Sequence, residues 1–392
     1  MTVLLTSCTG LREVNDLGIV TTTAIDMDNG EILLTHEVIV PESNTSISTG
    51  RGNNVVYVQS KGKTVFDAIR NATLIFDRKL FLAHNRIFIL GEEFAKQGIG
   101  DSFNFYVYDN EPRESAYIVV AKDAKGYDVM GINGGLSDSP GKYLFDIIEN
   151  YQLNLKSRDF SLVEFLRYYL KDANPVTAVV EHIQQREINK EESQSIKDSL
   201  NVVGGAAFKG DRLIGYFDSD EMKGFNFIID EFKNGLIVFE TPDELMEESE
   251  LIADSGIYTV VEVKDSSTKN RIEIIDEELH LKIDVDIKGV LIEDMKGLEV
   301  SNKDILHSVE SSCSNQVKNH IRMAMEKAQK EFKTDSFSIG NLVHIRYPDL
   351  WREISGDWES VFSDLEYTVN VKTDLVRTGL LNVPINIKKE LK

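Results

Sequence analysis

Apolar and polar residues follow one another with two different periods along this chain, and these periods predict both strands and helices. In residues 280–287 apolar side chains alternate with polar ones, which is typical of a strand with one buried and one solvated face. Residues 116–121 are apolar throughout, so this strand is expected to be buried on both faces. Further strands are predicted at residues 84–90, 176–183, 202–208, 213–217, 235–240, 257–264, 271–275 and 366–376.

A β-hairpin is predicted near the start of the chain. Residues 17–25 and 31–40 are rich in β-forming residues, and Asn29-Gly30 between them is a strong turn signal because both residues tolerate positive φ. Residues 42–63 are rich in Ser, Asn, Gly and Thr. We expect a mobile loop there, with one short β-prone piece at residues 55–58.

Helices are predicted from their first residues and from their apolar spacing. Thr64, Ser161 and Asp218 can each cap a helix, because an acidic residue follows three positions later. The longest predicted helix covers residues 303–332, where apolar residues recur at spacings of three and four. At about 1.5 Å per residue it spans about 45 Å, enough to cross a whole sheet. Cys313 lies on its apolar stripe, so we expect a buried, inert thiol.

The order of these elements predicts the α+β class. We expect a multi-domain chain of mixed and antiparallel sheets with packed helices, and a long helix across the C-terminal sheet. Residues 184–199 are polar and charged, which favours a domain boundary there. The predicted division is a lipobox segment at residues 1–8, an N-terminal α+β region at 9–195 with room for two subdomains, and a C-terminal α+β domain at 200–392.

The charge balance excludes one class of partner. The chain has 43 basic and 65 acidic residues, a net charge of −22. Nucleic acid is therefore not expected as a partner, because phosphate binding needs concentrated positive charge. Residues 240–254 hold seven acidic residues and no basic one. We interpret them as a solvated loop or helix face, with a cation site as the alternative.

The sequence contains no recognisable catalytic motif. Seven histidines and two cysteines are present, without His-Glu-x-x-His, Cys-x-x-Cys or Gly-x-Ser-x-Gly. His36 in the hairpin and His84 at the start of a strand are expected to be structural. We therefore expect a protein that is not an enzyme and has no catalytic residue, cofactor or metal, and no ligand-binding residue is predicted.

Leu5-Thr6-Ser7-Cys8 has the form of a bacterial lipobox, in which the cysteine thiol receives a diacylglycerol. Two acyl chains are needed for a stable anchor, since one chain binds a bilayer only marginally. The alternative is an ordinary cysteine in an apolar strand. A signal peptide needs a basic segment and an apolar segment of roughly 7–15 residues, more than Met1 to Ser7 provide. We expect the true start to lie upstream or to have been removed, and Cys8 to be the lipid anchor.

The sequence contains no run of 18 apolar residues, so no transmembrane helix is predicted.

The two tryptophans, Trp351 and Trp358, lie seven residues apart after the long helix. We predict that their segment folds back across the C-terminal sheet and that the indoles lock it to the long helix, because large aromatic side chains contribute most through burial. The alternative is an exposed tryptophan that anchors a partner protein.

Five short blocks occur in a fixed order along nearly the whole chain, and their order is more specific than any one block. The blocks are Arg12-Glu13 with residues 17–20 and 24–26, residues 62–69, residues 82–93, residues 204–208 with 213–216, and residues 335–340 followed by Pro348, Trp351, Trp358, Phe362 and Gly379. Together with the lipobox they resemble the GerAC-like, or Ger(x)C, spore germination lipoproteins. The missing signal peptide is the departure from that pattern.

The resemblance implies the C subunit of a nutrient germinant receptor, with a three-part α+β architecture and no known catalytic residues. It implies a lipid-anchored protein on the outer face of the spore inner membrane, with integral-membrane A and B subunits as partners. Two other functions stay open. A stand-alone solute-binding lipoprotein would have a ligand-sized cleft between two lobes, and a cell-surface hydrolase would have carboxylates or histidines converging in one pocket.

Overall fold

The computed structural model describes residues 17–39, 55–100, 102–103, 113, 115–171, 173–186, 196–245, 257–294 and 302–376. These residues form two β-sheets with helices packed on them, which confirms the predicted α+β class. The strands are β1 (Leu17–Asp28), β2 (Glu31–Ile39), β3 (Val55–Gly62), β4 (Lys79–Phe81), β5 (Ile87–Gly91), β6 (Tyr117–Ala121), β7 (Val176–Arg186), β8 (Ile196–Lys209), β9 (Arg212–Phe217), β10 (Gly235–Glu240), β11 (Tyr258–Ile275), β12 (Glu278–Asp294) and β13 (Glu366–Val376).

The α-helices of the described residues lie between these strands, and one of them is much longer than the others. They are α1 (Val65–Asn71), α2 (Glu92–Gln97), α3 (Gly126–Val129), α4 (Pro140–Glu149), α5 (Leu162–Leu170), α6 (Ser219–Ile228), α7 (Lys303–Glu326), α8 (Ile339–Arg346), α9 (Pro348–Ile354) and α10 (Trp358–Asp364). The side chains of Thr64, Ser161 and Asp218 cap α1, α5 and α6, as the sequence predicts.

The first sheet has the strand order β3-β2-β1-β5-β6-β7-β8-β9, with β4 paired to β1. The four central strands β1, β5, β6 and β7 run parallel, and the outer pairs are antiparallel. Helices cover both faces, so neighbouring residues of β6 enter different cores. Ile118 and Val120 pack on one side, and Val119 and Ala121 pack on the other. The prediction of a strand buried on both faces is confirmed.

The predicted hairpin is also confirmed, and its turn residues Asn29 and Gly30 have φ values of 53° and 82°. The loop predicted for residues 42–63 is wrong at its C-terminal end. Residues 55–62 form strand β3, because their full length pairs with β2. The predicted start of β5 is wrong as well, since His84 lies in a 3-10 turn that precedes the strand.

The second sheet has the order β10-β11-β12-β13 and packs one face on the long helix α7. Leu281, Ile283, Val285 and Ile287 of β12 meet the predicted apolar stripe of α7 in one core. The sequence predicted two short strands in β11, but the polar residues between them stay paired with β12 and give one 18-residue strand. A continuous ladder thus outweighs the low strand preference of those residues.

Cys313 lies in the middle of the α7 stripe and is fully buried as a free thiol, which confirms the prediction of its burial. Burial raises the pKa of this thiol to about 12, so the reactive thiolate is disfavoured near neutral pH.

The segment after the long helix folds around one buried carboxylate, that of Asp335. Asp335 Oδ1 accepts hydrogen bonds from the backbone N–H groups of Phe337 and Ile339 at 3.1 and 3.0 Å. Asp335 Oδ2 accepts from the Gly340 N–H at 2.7 Å and from the Trp358 indole N–H at 3.0 Å. Burial raises the pKa of Asp335, and these four donors partly offset that effect. The carboxylate therefore ties the start of α8 to α10.

The predicted packing of the tryptophans is confirmed for Trp358, which is buried in the C-terminal core, whereas Trp351 is only partly buried. The link to the long helix runs through the π-helical turn that extends α7. Its residue Gln329 donates hydrogen bonds to the carbonyl oxygens of Phe362 and Leu365 at 2.9 and 2.8 Å. The sequence did not predict the helices α8, α9 and α10 as separate elements.

The first sheet contains strands from both sides of the domain boundary that the sequence predicted at residues 184–199. Strands β8 and β9 lie in the C-terminal part of the chain, yet both complete the N-terminal sheet. Helix α6 then leads from β9 to β10, the first strand of the second sheet. The domain division therefore stays a prediction, and the change from one sheet to the other occurs at α6.

One buried acid in the first sheet, Asp26, should make the free energy of unfolding depend on pH. Asp26 accepts hydrogen bonds from the N–H groups of Gly126 and Tyr127 at 2.7 and 3.2 Å, which fixes α3 at the end of β1. Burial raises the pKa of Asp26 to about 6. Since the folded state holds this proton more tightly than the unfolded chain, the contribution of Asp26 to the free energy of unfolding should fall as pH rises from about 4 to about 6.

The expected size of this loss is up to about 3 kcal/mol, and denaturant unfolding at a series of pH values measures it. Asp26→Asn should remove this contribution, so the slope of the free energy of unfolding against pH should become more positive in that window. Asp77→Asn, at an exposed position, is the control and should leave the slope unchanged. An unchanged slope in Asp26→Asn would show that this carboxyl does not titrate there.

Candidate functional site: an arginine-lined cleft beside a buried polar cluster

The predicted anchor, Cys8, lies outside the described residues, as does most of the acidic segment 240–254. Among the residues that the structure describes, no group of three or more His, Cys, Asp or Glu side chains is placed to hold a metal ion. In the same part of the chain no helix is both long and apolar enough to cross a bilayer.

A fully buried polar cluster lies where the hairpin meets β5. Thr23 and His36 are direct neighbours across β1 and β2, and Thr23 Oγ1 lies 3.0 Å from His36 Nδ1. Thr23 Oγ1 also donates to Asn85 Oδ1 at 3.1 Å. Because that hydroxyl has one proton, His36 Nδ1–H must be the donor to Thr23, and His36 Nε2 is left as an acceptor. Burial lowers the pKa of His36 to about 4, so the ring is neutral near pH 7.

Two atoms of this cluster are unsatisfied. His36 Nε2 and Asn85 Nδ2 are buried and have no hydrogen-bond partner within the described part of the chain. Unpartnered buried polar atoms are rare in folded proteins, and each costs free energy. Asn85 is the more informative of the two, because it also lines a cleft at the surface.

This cleft lies at the amino ends of β5 and β6 and has a volume of about 350 Å³. That volume is at the lower end of the range for small-molecule sites. Asn85 and Arg86 form the link into β5, and the Tyr117 N–H donates to the Arg86 carbonyl oxygen at 2.8 Å. The residues that line the cleft are Asn85, Arg86, Arg113, Ser115, Ala116, Tyr117 and Phe145.

Basic and aromatic residues together line the cleft. The Arg86 guanidinium lies 5.1 Å from the centre of the Phe145 ring, and the Phe145 and Tyr117 rings are 5.5 Å apart. The described residues of the walls include two guanidinium groups and no carboxylate. The Tyr117 hydroxyl donates its proton to Glu149, so it is not free to donate to a ligand in the cleft. This arrangement can hold a small anion such as a carboxylate.

Little in the sequence indicates this cleft. Asn85-Arg86 precedes an apolar run and lies within one of the blocks that carry the family resemblance, but its partners come from residues 113–145. A cluster assembled from such distant positions has no local spacing pattern. The cleft lies at the amino ends of two neighbouring strands of one sheet. The solute-binding alternative predicts a cleft between two lobes instead.

Comparison with known proteins gives a consistent assignment for both parts of the chain. The family model described as "Spore germination protein N-terminal domain" matches residues 10–182. The model described as "Spore germination B3/GerAC like, C-terminal" matches residues 203–379. The two matches follow each other in the order in which the blocks occur in the sequence.

Curated relatives match over nearly their full length. Spore germination protein B3 of Bacillus subtilis (strain 168) is 23% identical over 383 residues, which covers 97% of this chain and 96% of the relative. Spore germination protein KC of the same organism is 22% identical and covers 98% and 95%. Spore germination protein A3, also from that organism, is 23% identical and covers 94% of each chain.

A solved structure shows the same fold. The crystal structure of the GerBC protein superimposes with a TM-score of 0.58 at 19% sequence identity, over 90% of this chain and 96% of that one. The family models, the full-length relatives and this shared fold agree, and on their joint evidence the chain belongs to the GerAC-like family of spore germination proteins.

Proposed function

We propose that the protein is a lipid-anchored, non-enzymatic subunit of a nutrient germinant receptor. In this proposal it lies on the outer face of the spore inner membrane and acts with integral-membrane A and B subunits. The observation that carries the proposal is the ordered match of both GerAC-type family models, at residues 10–182 and 203–379. The relatives are named as spore germination proteins, which supports a role in germination.

The lipid anchor is supported by the lipobox and by its position. Only eight residues separate Cys8 from Leu17, the first residue of β1, so acylation at Cys8 would attach the first sheet closely to a bilayer. A diacylglyceryl group supplies the two chains that stable attachment needs.

Cys8→Ala in the exported, full-length protein should move it from the membrane fraction to the soluble fraction, when the A and B subunits are absent. Fractionation followed by immunoblotting measures this. Cys313→Ala removes the other cysteine of the chain and is the matched control, which should stay with the membrane. Retention of Cys8→Ala in the membrane fraction would contradict the anchor.

The partnership with the A and B subunits is tested separately. Co-purification of all three proteins from solubilised spore membranes is the expected result. If the protein is recovered alone under conditions that keep A and B together, the receptor assignment is wrong even where the lipid anchor is correct.

A second candidate function, binding of a small carboxylate, is favoured by the basic cleft and by the unpartnered amide of Asn85 beside it. Titration of the protein with L-alanine, followed by NMR, should give saturable shifts. Arg86→Gln should weaken binding about tenfold or more, because one charge-assisted hydrogen bond contributes about 1.5–3 kcal/mol.

The control for this titration is Arg167→Gln, which removes an exposed arginine of α5 away from the cleft walls. It should leave the affinity unchanged. Absence of saturable binding in the unmodified protein, or equal loss in both variants, would exclude the cleft as the binding site.

A further inference from the structure

The surface of α1 and of the turn that follows it exposes large apolar side chains. Phe66, Leu74 and Ile75 are 43, 80 and 67% exposed. Helix α1 continues directly into a 3-10 turn, so residues 66, 70 and 74 follow at helical spacing and lie on one face. The Arg70 guanidinium lies 4.8 Å from the centre of the Phe66 ring. We call this surface, together with Arg78 just before β4, the α1 patch.

The α1 patch is basic in a strongly acidic protein. Residues 63–79 contain four basic and two acidic residues, whereas the whole chain has a net charge of −22. One of the two acids, Asp67, is engaged in the helix cap, where it accepts the Lys63 N–H at 2.9 Å. An anionic surface would therefore attract this patch and repel most of the remaining molecule.

The α1 patch lies beside the start of β1, the first strand of the described residues. Leu17, the first residue of β1, is paired with Lys79 in the parallel ladder between β1 and β4. A Cβ atom on Gly18 would lie 2.6 Å from Phe76 Cε1, so the turn that carries Leu74 and Ile75 packs directly on the start of β1. From Cys8 to Leu17 the chain can extend at most about 30 Å. A membrane that holds Cys8 is thus within reach of the patch.

We propose that the α1 patch rests on the anionic bilayer surface to which the chain is tethered. Leu74 and Ile75 enter the headgroup region, and Arg70 and Arg78 meet lipid phosphates. The proposal rests on the lipid anchor, because a patch of this size needs a tether to hold it at the membrane. The contact fixes the orientation of the molecule, with the start of β1 toward the bilayer.

The test uses a tether that does not depend on acylation. Residues 1–8 of the otherwise complete chain are replaced by a histidine tag, which binds nickel-chelating lipid in vesicles of phosphatidylcholine with 30% phosphatidylglycerol. In a Cys313→Ala background, Ile75→Cys is labelled with a polarity-sensitive dye. The matched control is Ile275→Cys, at a position that is 42% exposed at the tip of the second sheet.

On tethering, the dye at position 75 should shift to the blue and become several-fold less accessible to iodide, while the dye at position 275 should not change. Arg70→Glu with Arg78→Glu should abolish the protection at position 75, and Arg167→Glu should not. Circular dichroism confirms that each variant is folded.

Three outcomes overturn the proposal. The dye at position 75 could stay fully accessible on tethered protein, or be protected equally on vesicles without phosphatidylglycerol. It could also be protected only when the A and B subunits are present, which would make the patch a protein interface. Failure of the Cys8→Ala prediction is a separate result, since the histidine tether does not require Cys8.

Discussion

Asp335→Asn is expected to destabilise the C-terminal part of the protein by about 2–4 kcal/mol, although the two side chains have nearly the same shape. Each carboxylate oxygen of Asp335 accepts two hydrogen bonds from buried N–H groups. In asparagine one of these oxygens becomes an NH₂ group, which is itself a donor. Two N–H groups then face another donor and lose their acceptor, whichever way the amide is turned.

Tryptophan fluorescence measures this effect selectively. Trp351 and Trp358 are the only tryptophans of the chain, and Trp358 donates its indole N–H to Asp335. Denaturant unfolding followed by their emission therefore reports on the segment that Asp335 organises. Asp357→Asn, at an exposed position next to Trp358, is the matched control and should change stability by less than about 0.5 kcal/mol.

A double-mutant cycle separates the hydrogen bond from other effects. Trp358→Phe removes the indole donor, so Asp335→Asn should cost less in that background than in the unmodified chain. Near-UV circular dichroism replaces emission in the variants without Trp358. If the costs of the two substitutions are additive, or if Asp335→Asn is as stable as the control, the account of Asp335 as the acceptor that holds this segment is wrong.

Gly224→Ala is the second substitution with a large expected effect. It should destabilise the protein, whereas the same substitution in an ordinary helix is stabilising. Replacing glycine by alanine inside a helix usually stabilises it by about 1 kcal/mol. At position 224 of α6, however, an added Cβ would lie 1.9 Å from the His320 carbonyl oxygen of α7. The two backbones must separate, and overpacking of this kind costs about 1–3 kcal/mol.

The expected loss extends beyond the contact between α6 and α7. The two residues that follow Gly224 make separate sets of contacts. Phe225 packs against Phe217 and Phe337. Asn226 donates hydrogen bonds to the Leu155 and Ser157 carbonyl oxygens. Moving α6 disturbs both sets of contacts. Thermal unfolding of the full chain, followed by far-UV circular dichroism, should show a lower melting temperature.

The control for Gly224 is Gly356→Ala, because a Cβ at Gly356 would meet no atom within 4 Å. This variant should be as stable as the unmodified protein or slightly more stable. A melting temperature for Gly224→Ala at or above that of the control would show that α6 and α7 can separate without cost.

The sequence alone determined the local elements that depend on neighbouring residues. The Asn29-Gly30 turn requires two positive φ values, and the caps at Thr64, Ser161 and Asp218 bind N–H groups two or three residues away. The apolar spacing of α7 and the alternation in β12 likewise identify their buried faces from one stretch of chain. The order of the family blocks identified the family in the same way.

Only the tertiary structure decided features that depend on residues far apart in the chain. Strand β3 and the polar middle of β11 are strands because a partner strand supplies their hydrogen bonds. The Arg86 cleft, the close approach of Gly224 to His320 and the α1 patch beside Leu17 each join distant segments. Periodicity reports which face of an element is buried, but the identity of the partner is fixed only when the whole chain packs.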